Sequence, residues 1–344
     1  MENKILAIGI PSYNGEPYLD RCIPTFIDER INDKIEVIIV NDGSKDNTQK
    51  IAEKYKGLYP STVKVINKEN GGHGSAVNAA LYSTNAKYYK VVDCDDWVDT
   101  DELVKLIDFL EKNDVDIVSN SYNQVNMLTG FSEKIGNYGY EFGKIYNFDD
   151  IDINDMYLSI HSTTYKTCIL KENNIKLQEK TFYVDVEYQL LPIPYVKTIA
   201  FLDNCVYKYM VGNANQSINI ENFVKRYDDH NRVVHRILEF LKDATFTKNQ
   251  KEYVYGVFEK VLYTHYSLSS VYDSNLARGK ERSSSFDSYL KEMNPYLYNF
   301  MAKKYNAIKR LRKKNFNIRA TQNSKLRILK RFLKGWIKRW NMTI

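Results

Sequence analysis

Three carboxylates stand within four residues at Asp93-Cys94-Asp95-Asp96, just before Trp97. At that spacing they repel one another, so either a cation sits among them or their pKa values rise. An Asp-x-Asp pair on extended backbone puts two carboxylates on the same side. That suits a hard divalent ion, Mg2+ or Mn2+, which keeps several waters and completes its shell with phosphate oxygens. Three more polar clusters precede it: Pro11-Ser12-Tyr13-Asn14, Asn41-Asp42-Gly43-Ser44-Lys45-Asp46 and Asn70-Gly71-Gly72-His73-Gly74-Ser75. Asx and Gly residues also form ordinary turns, so each cluster alone has a plain reading.

The elements between the clusters decide the matter. Short apolar runs at 5–10, 35–40, 63–66 and 88–92 predict four strands, and each ends in one of the clusters. Leu19, Cys22, Ile23, Phe26 and Ile27 follow helical spacing, with Pro24 bending that helix. Further helices are predicted at 46–55 and 75–81, and a fourth, capped by Thr100, carries Leu103, Leu106, Ile107 and Leu110 on one face. A strand at 116–119 follows. Strand and helix in strict turn imply right-handed crossovers and a doubly wound, mostly parallel α/β sheet. Ligands of such sheets bind beyond the carboxyl ends of the strands, where all four clusters fall.

The four clusters together resemble the family-2 glycosyltransferases, inverting enzymes of the GT-A fold, and the resemblance spans roughly residues 4–215. It implies that Pro11, Tyr13 and Asn14 border the nucleotide and that Asp42 accepts the base's imide N–H. It implies that Asp93 and Asp95 face the ribose and the metal-bound diphosphate, with Asp95 the ligand of Mn2+ or Mg2+. An Arg-Asn pair frequent in the family is Val77-Asn78 here. Asn78 therefore stays in the donor set, while Gly72, His73 and the helix start beside them stand in for the missing arginine, since free N–H groups attract anions. The family's downstream acidic pair matches Tyr183-Val184-Asp185-Val186-Glu187, which implies Asp185 as catalytic base, with Glu187 its rival and a plain helix cap the bland alternative.

Other motifs carry less. Gly72-His73-Gly74-Ser75 lacks a third glycine and follows the third strand, which argues against a dinucleotide fingerprint. His161-Ser162-Thr163-Thr164 reads as a helix cap. Asn215-Gln216-Ser217 sits where related transferases keep a loop near the active site. The histidines and cysteines lack zinc spacing, and there is no Walker A sequence. Residues 273–288, with three consecutive serines, read as a loop or linker.

Composition bounds the rest. No apolar run exceeds four residues, so no membrane-spanning helix is predicted, and no signal-like segment precedes the first strand. Four scattered cysteines read as reduced thiols in cytosol. Charge is uneven. Residues 301–344 hold fifteen Lys or Arg and no acid, whereas the remainder holds 34 basic against 43 acidic side chains. Within 324–340, Leu326, Leu329, Leu333, Trp336 and Trp340 recur at helical spacing among seven cations. That combination reads as an interfacial helix on anionic lipid. Docking on the body or on a second copy, as a homodimer, is the rival, and nucleic acid fits the apolar stripe worst.

The sequence thus predicts a GT-A catalytic domain over 1–215, a helical region over 216–322 and a basic amphipathic helix over 323–344. The predicted activity is transfer from a nucleotide-sugar donor, UDP-linked, to a glycan or lipid-linked acceptor at the inner face of the membrane. A nucleotidyltransferase, or a non-catalytic sugar-binding module on the same fold, is the alternative.

Overall fold

The computed structural model describes residues 4–154, 156–212 and 220–318. The chain forms two compact units, one of residues 1–211 with 247–250 and the other of 212–246 with 251–344.

The first unit opens with β1 (Leu6–Ser12), α1 (Glu16–Cys22), β2 (Ile35–Asp42), α2 (Thr48–Leu58), β3 (Val63–Lys68), α3 (His73–Ser83) and β4 (Tyr88–Val91). A two-residue β5 (Trp97–Val98), α4 (Thr100–Lys112), β6 (Ile117–Asn126), β7 (Ser132–Ile135) and β8 (Ile145–Asn147) follow. Then come β9 (Thr163–Lys166), α5 (Thr167–Glu172), α6 (Asp185–Leu190) and β10 (Thr198–Val211). The sheet runs β3-β2-β1-β4-β9-β6-β10-β5, with β7 on β6 and β8 on β10. Its long pairings are parallel, β3 through β4 and β6 with β10. Short β9 enters antiparallel between β4 and β6. Every residue of β1 and β2 is buried, which is why both strands read as mostly apolar runs rather than alternations.

Pro11 lies inside β1, where a missing N–H would break a central strand. Val92 N–H bonds Gly9 O, so by alternation Pro11 faces the β4 side, and pairing with β4 has already ended at Gly9. The proline costs no ladder bond. Pro24 ends α1 in a short 3-10 turn over Ile23–Phe26, as the spacing predicts. Helix α4 buries Leu103, Leu106, Ile107 and Leu110 against the sheet, each worth about 1.5–3 kcal/mol of burial. Its cap is Asp99, whose carboxylate accepts the Glu102 N–H, and not Thr100, whose hydroxyl donates to Thr25 O.

The second unit is helical: α7 (Ile220–Lys225), α8 (Tyr227–Asp243), α9 (Lys248–Ser267, apart from its start up to residue 250), α10 (Leu276–Met293), α11 (Pro295–Lys304) and α12 (Asn306–Lys313). Helix α10 overturns the linker expected at 273–288. Asn275 caps it through the Ala277 and Arg278 N–H groups, and its small residues serve close packing. Ser283 Oγ lies 2.8 Å from Ser269 Oγ, and a Cβ on Gly279 would stand 2.3 Å from Ser269 O. Among the described residues no helix is long and apolar enough to cross a membrane. The amphipathic tail at 323–344 and Asn215-Gln216-Ser217 lie outside the described residues.

Candidate active site

The loops after β1 and β2 are stitched to each other. Asn14, in the left-handed region at φ 51°, donates its N–H to Ser44 Oγ and accepts from Lys45 N–H. Gly15 N–H donates to Thr48 Oγ1, and Glu16 N–H to Asp46 Oδ2. Tyr13 projects beside this seam, 52% exposed. Both loops are thereby fixed at the rim of the sheet.

Asp42 ends β2 and is 2% exposed. Its carboxylate accepts from Lys68 Nζ at 2.7 Å, Gly71 N–H at 2.9 Å and Gly72 N–H at 2.8 Å. With about four acceptor directions on a carboxylate, roughly one is left for a ligand. Most of what Asp42 does in this structure is to set the Gly71-Gly72 turn. Gly72 has φ +83°, which favours glycine, and α3 begins at the next residue.

That turn presents His73, whose Nε2 lies 2.7 Å from Asp93 Oδ1 at the end of β4. Burial works against the charged imidazole, but the Asp93 charge and hydrogen bond outweigh it, and the His73 pKa is raised. Burial pushes Asp93 up in turn, yet His73 prevails and holds it below the usual carboxylate range. The two form an ion pair whenever His73 is protonated.

The segment before α6 is clasped to the same place. Asn78 donates to Leu177 O and accepts from Leu177 N–H, both at 2.8 Å. Both ends of its amide are thus engaged by the backbone, and it positions this segment. A Cβ on Gly74 would meet Gln178 O at 2.3 Å, and Lys180 N–H bonds Gly71 O. Glu187 is fully buried and accepts from Gln178 N–H and from its side-chain amide. It acts as a strut. Asp185, at the first position of α6, is exposed but walled by protein; the depleted water raises its pKa while His73 pulls the other way. Asp93, hydrogen-bonded to His73, and Asp185 both act on the charge of His73.

Sequence reasoning missed the floor of this site. Asp96 is buried and accepts from Tyr207 O–H at 2.5 Å and Met210 N–H at 2.6 Å, while the Tyr207 hydroxyl oxygen accepts the Asp93 N–H. These partners stand more than 110 residues away in sequence, so no local pattern announces them. His161 follows no capping pattern, because strand β9 and not a helix comes next. It is stacked on Tyr209 with ring centroids 4.2 Å apart and packs edge-on to Tyr207. Burial holds its pKa down at about 4 and leaves Nδ1 without a hydrogen-bond partner. Lys90 is fully buried in β4, donates to His161 O at 2.8 Å, and is pushed down to about 7.

A divalent cation fits the donors gathered here. Burial and then the Asp93 charge push Asp95 up to about 6, the condition of a carboxylate short of positive charge. Asp96 is pushed well up for the same reasons. The ligand atoms that converge are on Asp93, Asp96 and His161, all within 4.8 Å of one another. Asp95, the ligand implied by sequence, stands beside this group and not in it.

The mixed α/β sheet, with carboxylates gathered at its strand ends, has the GT-A-type fold. Residues 7–172, just under half of the chain, match the family described as Glycosyl transferase family 2. It is 36% identical over 114 residues to the uncharacterized glycosyltransferase EpsJ of Bacillus subtilis (strain 168), a match covering 33% of each chain. It is 33% identical over 120 residues to the minor teichoic acid biosynthesis protein GgaB of the same organism, over 34% of this chain and 13% of that one. The chain therefore aligns with a third or less of these relatives' length. The fold matches S. aureus TarS 1–349 in complex with UDP-GlcNAc, with a TM-score of 0.68, 19% identity, and 93% and 91% of the two chains covered.

Proposed function

We propose that this chain is an inverting glycosyltransferase that moves a sugar from a nucleotide diphosphate donor, UDP-linked, to a hydroxyl of a polymeric or lipid-linked cell-envelope glycan. The observation that carries the reading is the pairing of His73 with Asp93 at the strand ends, with Asp185 near enough to act on the same imidazole. The teichoic acid role named for GgaB and the nucleotide-sugar bound by TarS support the acceptor and donor classes.

The catalytic work falls to residues 1–215. Tyr13, Asn14 and the Asp42 turn border the nucleotide, and the α3 start with His73 faces the diphosphate. Asp93 and Asp95, with Asp96 and His161 adjoining, would hold Mn2+ or Mg2+, which supplies charge neutralisation for the diphosphate when bound. Asp185 takes the proton from the acceptor hydroxyl as its oxygen bonds to the anomeric carbon. The bond from that carbon to the diphosphate oxygen breaks, and the nucleotide diphosphate leaves with the electron pair. Attack opposite the leaving group inverts the anomeric centre. Glu187, buried against Gln178, is unsuited to this role. The tail at 323–344 keeps the enzyme at the inner membrane face, where such acceptors are assembled.

Incubating the protein with a panel of nucleotide sugars, with and without Mn2+, tests the reading. Metal-dependent release of UDP from one of them is expected. Pyrophosphate release from a nucleoside triphosphate would favour a nucleotidyltransferase, and donor binding without turnover a sugar-binding module.

A further inference from the structure

After Glu292 the sequence has no acidic residue, while seven cations fall between 303 and 314. Two of them are used inside the helical unit. Lys304 Nζ pairs with buried Glu259, and Arg312 Nε lies 2.6 Å from Asp287 Oδ1 with its guanidinium over the Tyr298 ring. The other five, Lys303, Lys309, Arg310, Lys313 and Lys314, are exposed. Among the described residues none of these five has a carboxylate in ion-pair contact. On α12 the division follows helical geometry. Ile308 and Leu311 are buried, and at 100° per residue Lys309, Arg310 and Lys313 occupy the opposite arc, with Lys314 at the helix end. Like charges at i,i+3 and i,i+4 repel, so this face is costly until an anionic partner covers it.

The chain beyond α12 selects the partner. From residue 324 it interleaves Lys and Arg with Leu, Phe and Trp, an apolar complement that a soluble polyanion would leave unused but a bilayer takes up. We propose that the outward face of α12 is an electrostatic docking surface for an anionic lipid bilayer, acting beside the tail. This deepens the membrane part of the proposed function and rests on it.

The test uses full-length protein and co-sedimentation with vesicles of phosphatidylcholine alone or mixed with phosphatidylglycerol. Wild type is expected to bind the mixed vesicles, less at high salt, and not the neutral ones. The face variant Lys309→Glu/Arg310→Glu/Lys313→Glu/Lys314→Glu is expected to bind at least about tenfold more weakly. The corresponding Gln variant, which spares the helix from acids in its last turn, should fall between. A tail variant, Leu333→Ser/Trp336→Ser/Trp340→Ser, should keep residual, salt-sensitive binding. Wild-type affinity in both face variants would overturn the inference and leave the tail as sole anchor. No vesicle binding by wild type would overturn the membrane reading with it. Tight binding of inorganic polyphosphate without vesicle binding would assign the face to a soluble polyanion instead.

Discussion

In the helical unit, buried carboxylates face cations. Glu259 meets Lys304, Asp287 meets Arg312, and Asp273 receives the forked guanidinium of Arg278 together with Arg282. Although burial alone would raise it, the Arg278 hydrogen bonds hold Asp273 below the usual carboxylate range. At the strand ends of the first unit the balance is different. His73 matches Asp93, but Asp95, Asp96 and Asp185 are all raised, and Lys90 is lowered among carbonyl oxygens. Burying charge without a partner is costly, and a fold selected for stability alone would have matched these groups too. The contrast separates charge matched inside the fold from charge left under-matched, which the proposed function assigns to metal and donor.

Removing a partner from a matched pair should give the largest effect. Arg312→Ala leaves Asp287 buried and uncompensated, and urea unfolding followed by a probe in the helical unit should show a loss of about 3–5 kcal/mol. A loss below about 1 kcal/mol would mean that the matched charges are not structural.

Next comes Asp185→Asn, which preserves shape while deleting the proton acceptor. Sugar transfer should slow by about 10²-fold or more, equivalent to about 2.7 kcal/mol of barrier, with donor binding retained. The base must be deprotonated to act, so the wild-type rate should fall as pH drops through the Asp185 pKa. Because that pKa is raised, the acid limb should lie above the ordinary aspartate value of about 3.9, and the variant should lack it. Normal turnover in Asp185→Asn, with Glu187→Gln folded but inactive, would move the role to Glu187.

Much of the molecule was legible in the sequence, and the rest was hidden for physical reasons. The alternation through α4 and the polar clusters after the first four strands were readable because period and turn chemistry are local. The pairing of His73 with Asp93 joins two such clusters and needed only the topology. Tyr207 under Asp96, and Lys90 under the His161 carbonyl, were not readable, because contacts between distant strands leave no mark in local spacing. The short strand β9 also escaped, so His161 read as a cap. Helix α10 failed as a prediction because its serines look like loop formers, whereas Ser283 is consumed in packing against Ser269. Asn78 and Asp42, read from sequence as donor contacts, also hold the backbone around them, a use that local spacing does not announce.

The central claim is that the unmatched carboxylates hold a divalent cation through which the donor's diphosphate binds. It is tested most directly by calorimetric titration of a UDP-sugar, with and without Mn2+, into wild type and Asp95→Ala. Asp95 has a raised folded pKa, so its charge costs stability at any pH above that value. Deleting it should leave the melting temperature at pH 7.5 unchanged or slightly higher. Wild type should bind the donor only with metal, and Asp95→Ala should lose that binding while remaining folded. Donor affinity unchanged in the folded variant would contradict the account.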